Sequence, residues 1–446
     1  MGIFYEQVKE RLIRYAKINT QSAGFTGSWP TTSCQMDLAR ELSRELKDIG
    51  ADDVWLDEEN CLVYARIPSN LPDDDQGRTF TGQGCSADEQ GCAADGQGCS
   101  ADGQDCADSK SVGFIAHMDT APDASGKDVK PWVLQSYDGS DIVLNAEKNI
   151  IMRAEDYPNL RQYIGQDLIL TDGTTLLGGD DKASIAAIMT MAEYYCSNPS
   201  IPHGLICLAF TPDEEVGGLA HTLDLERFGT RNGYTLDGDH LGWYEDETFN
   251  ASQALISIDG RSVHTGTAKG IMVNAVDIAS DFLRMLPPRE KPQYTEGKEG
   301  FYHVISCNAS CEHAEISLII RDFDADRFKK REDYLQECAD LLNARYGSHV
   351  SLRIIEQYRN MKEVIETAPH LVENLKKAIS DCGLTPVCEP FRGGTDGAAL
   401  SFRGLPCPNL SAGYENAHGR FEYVPVQSME KNVEILLRLC QLFAGI

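Results

Sequence analysis

Three apolar runs, each ending in acidic or histidine side chains, constrain this chain more than any other feature. SVGFIAHMD reaches His117 and Asp119, GLICLAFTPDEE reaches Asp213, Glu214 and Glu215, and YTLDGD reaches Asp237. Short apolar runs of this kind predict buried strands. Carboxylates gathered where buried strands leave a core are costly unless something positive sits among them. In an α/β sheet the functional site lies at the carboxyl ends of the strands, and these three runs would bring their polar residues there.

The surrounding sequence fits such a sheet. A helix is predicted near residues 4–17, with Val8, Leu12 and Ile13 on one face. A second follows in QMDLARELSRELKDIG, closed by Gly50. VWLDEENCLVYARI reads as a hairpin, LILT as a strand, and 182–195 as a helix. From about 250 to 360 the pattern changes. ALISIDGRSVHTGTAKG and AEISLIIRDFD alternate like half-exposed strands, separated by helices at 272–286 and 326–345, where Tyr334, Cys338, Leu341 and Leu342 have helical spacing. A helix near 368–382 and a last helix striped by Met429, Val433, Leu436, Leu437 and Cys440 complete the chain. A length of 446 residues exceeds one ordinary core. The expected organisation is therefore α/β, with 1–248 and 363–446 as one domain and 249–362 as a smaller inserted α+β sandwich.

Residues 73–110 stand apart. CSADEQG, CAADGQG and CSADGQD repeat every seven residues, but the segment is Gly-rich and has no apolar seam for a coiled coil. Its composition predicts a disordered acidic insertion. Four of the 15 cysteines lie there, at 85, 92, 99 and 106, without metal-ligand spacing. The remaining thiols are scattered through apolar stretches, as expected for small buried hydrophobes, and no structural disulfide is predicted.

Charge excludes some function classes. Forty basic against 69 acidic residues give a net charge of −29. Nucleic acid and anionic membrane are therefore not expected as partners. There is no apolar run of transmembrane length, and MGIFYEQVKERLIRY carries charge where a secretory leader would be apolar, so the expected address is cytoplasmic.

The candidate site residues have ordinary explanations one at a time. On a strand of period two, His117 and Asp119 point the same way, and Asp119 can orient the imidazole. Asp180-Asp181-Lys182 follows two glycines, and its carboxylates need a cation or the Lys182 ammonium; an Asp there can also cap the next helix. Asp213, Glu214 and Glu215 follow a buried strand, Asp237 stands in an Asp-Gly turn, and His418 lies in the loop NAHGRFEY. Together they supply two imidazoles and several carboxylates. That donor set suits zinc, and a shared carboxylate suits two zinc ions. No serine-centred elbow or phosphate-binding glycine loop competes.

Longer stretches carry a resemblance. IRYAKINTQS, GFIAHMDTAPDASGKDV, TDGTTLLGGDDKASIA, AFTPDEEVG, YTLDGDHLG, SVHTGTAKGIMVNA, TEGKEGFYHV, IIRDFDADRF, FRGGTDGAALSFRGLPCPNL and HGRFEYVPVQSMEKNVEIL occur in order over nearly the whole chain outside 73–110. In these the chain resembles the peptidase T family, the aminotripeptidases among the dinuclear zinc exopeptidases. The resemblance implies a zinc-exopeptidase domain, a mixed sheet flanked by helices, with an inserted lid domain. It implies two zinc ions per subunit, with His117 and Asp237 on one, Glu215 and His418 on the other, Asp180 as the bridging ligand, and a cis peptide bond between Asp180 and Asp181. Asp119 would orient His117, and Glu214 would be the general base. His264 and Asn274 would touch substrate, with His264 stabilising the oxyanion, while Arg321 and Arg392 would hold a substrate carboxylate. A homodimer through the lid domain is also implied. The chain departs from the family pattern at Gly179, Thr265, Arg403 and Glu415.

The expected activity is hydrolysis of the first peptide bond of small peptides, tripeptides above all. Two alternatives remain at this stage. One is a dipeptidase or N-acyl-amino-acid deacylase of the same superfamily. The other is a non-catalytic metal-binding scaffold, against which the retained Glu214 argues.

Overall fold

The computed structural model describes residues 2–24, 27–72, 110–218 and 220–446. The predicted disordered insertion at 73–110 lies, except for Lys110, outside the described residues. Strands β1 (Asp52–Asp57) and β2 (Leu62–Ile67) form the predicted hairpin, with Asp57 opposite Leu62. The chain then enters β3 (Ser111–His117), every residue of which is buried. Four short strands follow: β4 (Trp132–Leu134), β5 (Ile142–Asn145), β6 (Ile150–Met152) and β7 (Leu168–Leu170). Next come β8 (Leu205–Thr211), β9 (Gly233–Leu236) and β10 (Trp243–Glu245). A second unit holds β11 (Asn250–Asp259), β12 (Phe301–Ala309), β13 (His313–Asp322) and β14 (Val350–Tyr358). Finally, β15 (Val387–Cys388), β16 (Asn409–Leu410) and β17 (Val424–Pro425) return to the first.

The main sheet is mixed and eight-stranded, in the order β1-β2-β8-β3-β9-β16-β10-β15. Its centre is what matters for chemistry. β3 lies between β8 and β9 and runs parallel to both, with His117 opposite Thr211. The three apolar runs are therefore neighbours, and their carboxyl ends open at one edge.

One helix supports that edge. Gly179–Ser197 packs on β3 and against the helices Tyr5–Ala16 and Val426–Phe443. Fifteen of its 19 residues are buried, so it has no polar face and no amphipathic period to read. Its formal start includes Asp180 and Asp181, whose dihedrals are not helical, and the peptide between them is cis. Regular helix begins at Lys182, where the sequence places it.

The last helix, Val426–Phe443, is covered on more than one side, including by Pro369–Asp381. Its buried stripe is consequently wider than predicted: Ile435 and Leu439 join it, and Leu437 is only half-buried.

In the second unit an antiparallel sheet of order β12-β13-β11-β14 packs against the helices Ala275–Met285 and Ala325–Tyr346. Ile256, Leu318, Ile320, Phe282 and Leu335 fill the space between. The second helix is rotated from its predicted setting. Leu335, Cys338, Ala339 and Leu342 face the sheet, while Leu341 is 61% exposed. Both seams have helical spacing, and packing against β13 and β14 selects one.

The eleven cysteines among the described residues form no disulfide with one another. No helix among them is long and apolar enough to cross a membrane.

Candidate active site

The carboxyl ends of β3, β8 and β9 bring His117, Glu214, Glu215 and Asp237 together, and two loops complete the cluster. Asp180 comes from the glycine loop before the buried helix, and His418 from the loop between β16 and β17. Asp180 stands between the imidazoles: Oδ1 lies 3.0 Å from His117 Nε2 and Oδ2 lies 3.2 Å from His418 Nε2. The same His418 nitrogen is 2.8 Å from Glu215 Oε2. Donor atoms fall into two groups, each within 4.8 Å: His117, Asp180 and Glu215, and His117, Glu214 and Asp237.

Polar neighbours hold these groups in place. Asp119, fully buried, has Oδ1 3.3 Å from His117 Nδ1. It also accepts from the backbone N–H groups of Glu214 at 3.0 Å and Glu215 at 3.3 Å. One carboxylate thus aligns a β3 imidazole and the β8 acids. Asp181 accepts from the backbone N–H of His117 at 3.2 Å. Tyr414 Oη donates to Asp237 Oδ1 at 2.6 Å and accepts from Gly238 N–H at 2.8 Å.

Glu422 carries a role that sequence reading did not assign, although it stands in the quoted HGRFEY stretch. It is 2% exposed and accepts from the N–H groups of Leu177 at 2.7 Å, Gly178 at 2.8 Å and Asp180 at 3.0 Å. It therefore fixes the loop that presents Asp180. Gly179 in this loop cannot carry a side chain as the loop stands, because a Cβ would lie 2.4 Å from Val424 Cγ2. Asp396, which accepts from Thr211 Oγ1 at 2.7 Å, is a second unassigned buried acid beside the cluster.

The electrostatics describe a negative site with too little positive charge. Burial, reinforced by Asp237, Asp396 and Glu215, pushes the Glu214 pKa well above its ordinary value. Burial and Asp180 push Glu215 up to about 7 and Asp237 up to about 6. For His117, burial disfavours the charged ring, but Asp119 and Asp180 outweigh it and raise the pKa. Among the described residues, the buried oxygens Asp181 Oδ1 and Glu215 Oε1 have no hydrogen-bond partner. Orphaned carboxylate oxygens beside neutral-capable imidazoles are the donors that divalent transition metals take. The residues present thus fit a metal centre, and the shared placement of Asp180 fits two ions.

A cavity of about 1060 Å³ opens over this cluster, at the upper end of the ~300–1,000 Å³ usual for ligand sites. Arg321 belongs to its wall. Its guanidinium donates to Gln357 Oε1 and the Ile320 carbonyl, both at 2.9 Å, and stacks on Tyr358. The other expected substrate contacts lie elsewhere. Arg392 is not part of the cavity wall. It donates to the Glu299 carbonyl and to Thr295 Oγ1, both at 3.0 Å, and packs on Phe249 and Phe301. Its guanidinium joins the loop before α-helix Asp396–Phe402 to the second unit. His264 is exposed and accepts from Gly266 N–H at 3.2 Å, and Asn274 caps helix Ala275–Met285 by accepting from Val276 N–H at 3.1 Å. Neither reaches the cavity within this chain.

Known proteins resemble this chain in sequence and in fold. Residues 247–350 match the family of the peptidase dimerisation domain. A peptidase T of Alkaliphilus oremlandii is 44% identical over 436 residues, covering 98% of each chain. Among solved structures, an aminopeptidase from Bacillus cereus superposes with a TM-score of 0.71 at 20% identity over 99% of both chains. A dinuclear metal-binding peptidase from Bacillus subtilis superposes with a TM-score of 0.63 at 11% identity, again over 99% of both. These two show a common fold. The near-complete alignment at 44% identity, in a chain whose strand ends assemble a metal-ligand cluster, establishes that the chain belongs to the peptidase T family.

Proposed function

We infer that the protein is a metallo-aminopeptidase that releases the N-terminal residue of tripeptides. The observation that carries this reading is Asp180 set between His117 and His418 at the floor of a cavity large enough for a short peptide. Two zinc ions would be held by His117, Asp180, Glu215, Asp237 and His418. Bound there, they would supply Lewis-acid polarisation of the scissile carbonyl and lower the pKa of a shared water.

The chain's own residues do the rest. Glu214 takes a proton and passes it to the departing amine. Asp119 fixes the His117 ring and the Glu214 backbone together, so base and ligand keep a constant separation. Arg321 is the cavity cation best placed for a substrate carboxylate. His264 serves the oxyanion only if it is carried to the cavity by movement of the second unit or by a neighbouring chain.

In this reading 1–248 and 363–446 form the catalytic domain and 249–362 the lid. The match to a peptidase dimerisation domain supports a homodimer joined through that lid. The lack of disulfides among the described cysteines fits a reducing compartment, the cytoplasm.

The test has two arms. Chelation should abolish hydrolysis, and zinc or cobalt should restore it. A panel then compares a tripeptide, its N-acetylated form, its C-terminal amide and the matching dipeptide by kcat/KM. Equal rates for the free and N-acetylated peptides would replace the aminopeptidase with a deacylase, and full turnover without metal would remove the mechanism.

A further inference from the structure

The cavity wall holds more negative charge than the metal cluster accounts for. Asp180, Glu214, Glu215 and Asp237 belong to that cluster, but Asp239, Glu245 and Glu389 also line the cavity. The wall also holds cations, none of them hydrogen-bonded to these three acids among the described residues. His418 faces Asp180 and Glu215, Arg321 is bound to Gln357 and main-chain carbonyls, and His240 Nδ1 lies 2.8 Å from Glu415 Oε1. Among the described residues none of these three carboxylates forms an ion pair, although Asp239 and Glu389 stand near enough to His240 to raise its pKa.

Glu245 is the buried member, only 8% exposed. Its Oε2 accepts from Asn409 Nδ2 at 3.2 Å, whereas Oε1 has no hydrogen bond to a described residue and belongs to the cavity side of the wall. Burial disfavours the ionised form of a carboxyl group in so enclosed a place, and a cationic ligand beside Oε1 would stabilise that form. Asn409 Nδ2 also donates to the Asp237 carbonyl at 2.6 Å, so Glu245 stands one side chain away from a proposed metal ligand. Asp239 and Glu389 lie on the exposed rim, and the Trp243 ring adds an aromatic face of the kind cations pack against.

We propose that Glu245, with Asp239 and Glu389 on the rim around it, receives the free N-terminal ammonium of the peptide. This rests on the aminopeptidase reading and deepens it. The α-ammonium is separated from the scissile carbonyl carbon by a single Cα, so its acceptor must adjoin the metal centre. Glu245 meets that requirement, and its charge, burial and free oxygen match a compact donor of three N–H bonds. His240, held by Glu415 and packed edge-on against Trp243 with centroids 4.6 Å apart, closes the side of the subsite.

The experiment compares a tripeptide with its des-amino analogue, in which hydrogen replaces the ammonium, on the metal-loaded parent, Glu245→Gln and Glu389→Gln. The parent should strongly prefer the free amine. Glu245→Gln should lower kcat/KM for the tripeptide roughly 10- to 100-fold, the range for losing a charged hydrogen-bond partner, and leave the des-amino analogue unchanged. It should raise the Ki of a simple α-amino amide, used as competitive inhibitor, by a similar factor. Glu389→Gln, at an exposed position that does not endanger folding, should shift the same preference about 2- to 5-fold. Equal losses on both substrates, or an unchanged preference in both variants, would overturn the subsite while leaving the aminopeptidase standing. A parent enzyme indifferent to the amine would overturn both.

Discussion

Replacing Glu422 by Gln tests how the metal-ligand loop is held. The carboxylate takes two N–H groups on Oε2, from Leu177 and Gly178, and one on Oε1, from Asp180. Gln preserves one acceptor oxygen, enough for two of the three. It puts an amide donor against the third N–H, that of the residue between the two imidazoles. Two effects compete. A neutral amide is cheaper to bury than a carboxylate whose pKa burial has pushed up to about 7. Against that stands one lost charge-assisted bond, about 1.5–3 kcal/mol, together with a buried N–H facing another donor. The second effect is larger, because no water has room to intervene at a side chain 2% exposed. The loop should relax in the metal-free protein and have to be restored on binding. Apparent zinc affinity, measured by competition with a chromogenic chelator, should fall roughly 10- to 100-fold, as for other residues that orient ligands. The melting temperature should fall by about 5 °C in the metal-loaded protein. A variant that binds zinc like the parent, or melts higher, would show that burial cost governs Glu422 and that the three bonds do not position Asp180.

Three further outcomes follow from the same geometry. Glu214→Gln should keep its metal but lower kcat by roughly 10²–10⁴-fold, whereas Glu215→Gln should lose metal; elemental analysis beside single-substrate kinetics would expose reversed roles. Arg392→Ala should lower the melting temperature without changing the ratio of kcat/KM for a tripeptide over its C-terminal amide, if the guanidinium serves to join the two units; a collapse of that ratio would place Arg392 in the substrate site. Glu45, whose charge burial opposes but Tyr15 and Arg11 stabilise, has a pKa lowered from 4.5. Its contribution is present above that value and is lost as pH falls through the lowered pKa, so Glu45→Gln should destabilise at pH 7 and the difference in melting temperature should shrink as pH falls below about 4.5; a difference independent of pH would assign the effect to packing.

Much of the site is legible in the sequence because it is local. A strand buried on both faces must be apolar along its length, and the residue where it emerges is free to be polar. His117, Glu215 and Asp237 can therefore be located by reading each run to its end, and Asp119 follows from a period of two. The buried helix start at Asp180 is marked by its glycines. Family likeness then gives these residues roles that spacing alone does not. What the sequence leaves open is set by contacts between distant segments. Glu422 meets the Asp180 loop across more than 240 residues, and nothing near it distinguishes a loop-binding carboxylate from a surface one. Arg392 looks the same in sequence whether it meets a ligand or the carbonyls of another loop. In Ala325–Tyr346 both Leu341 and Leu335 belong to seams of helical spacing, and only the sheet beneath selects Leu335. Periodicity states that a helix has an apolar face. Which side chains form it, which carboxylate steadies a loop and which arginine is already engaged are decided when tertiary packing brings those groups into contact.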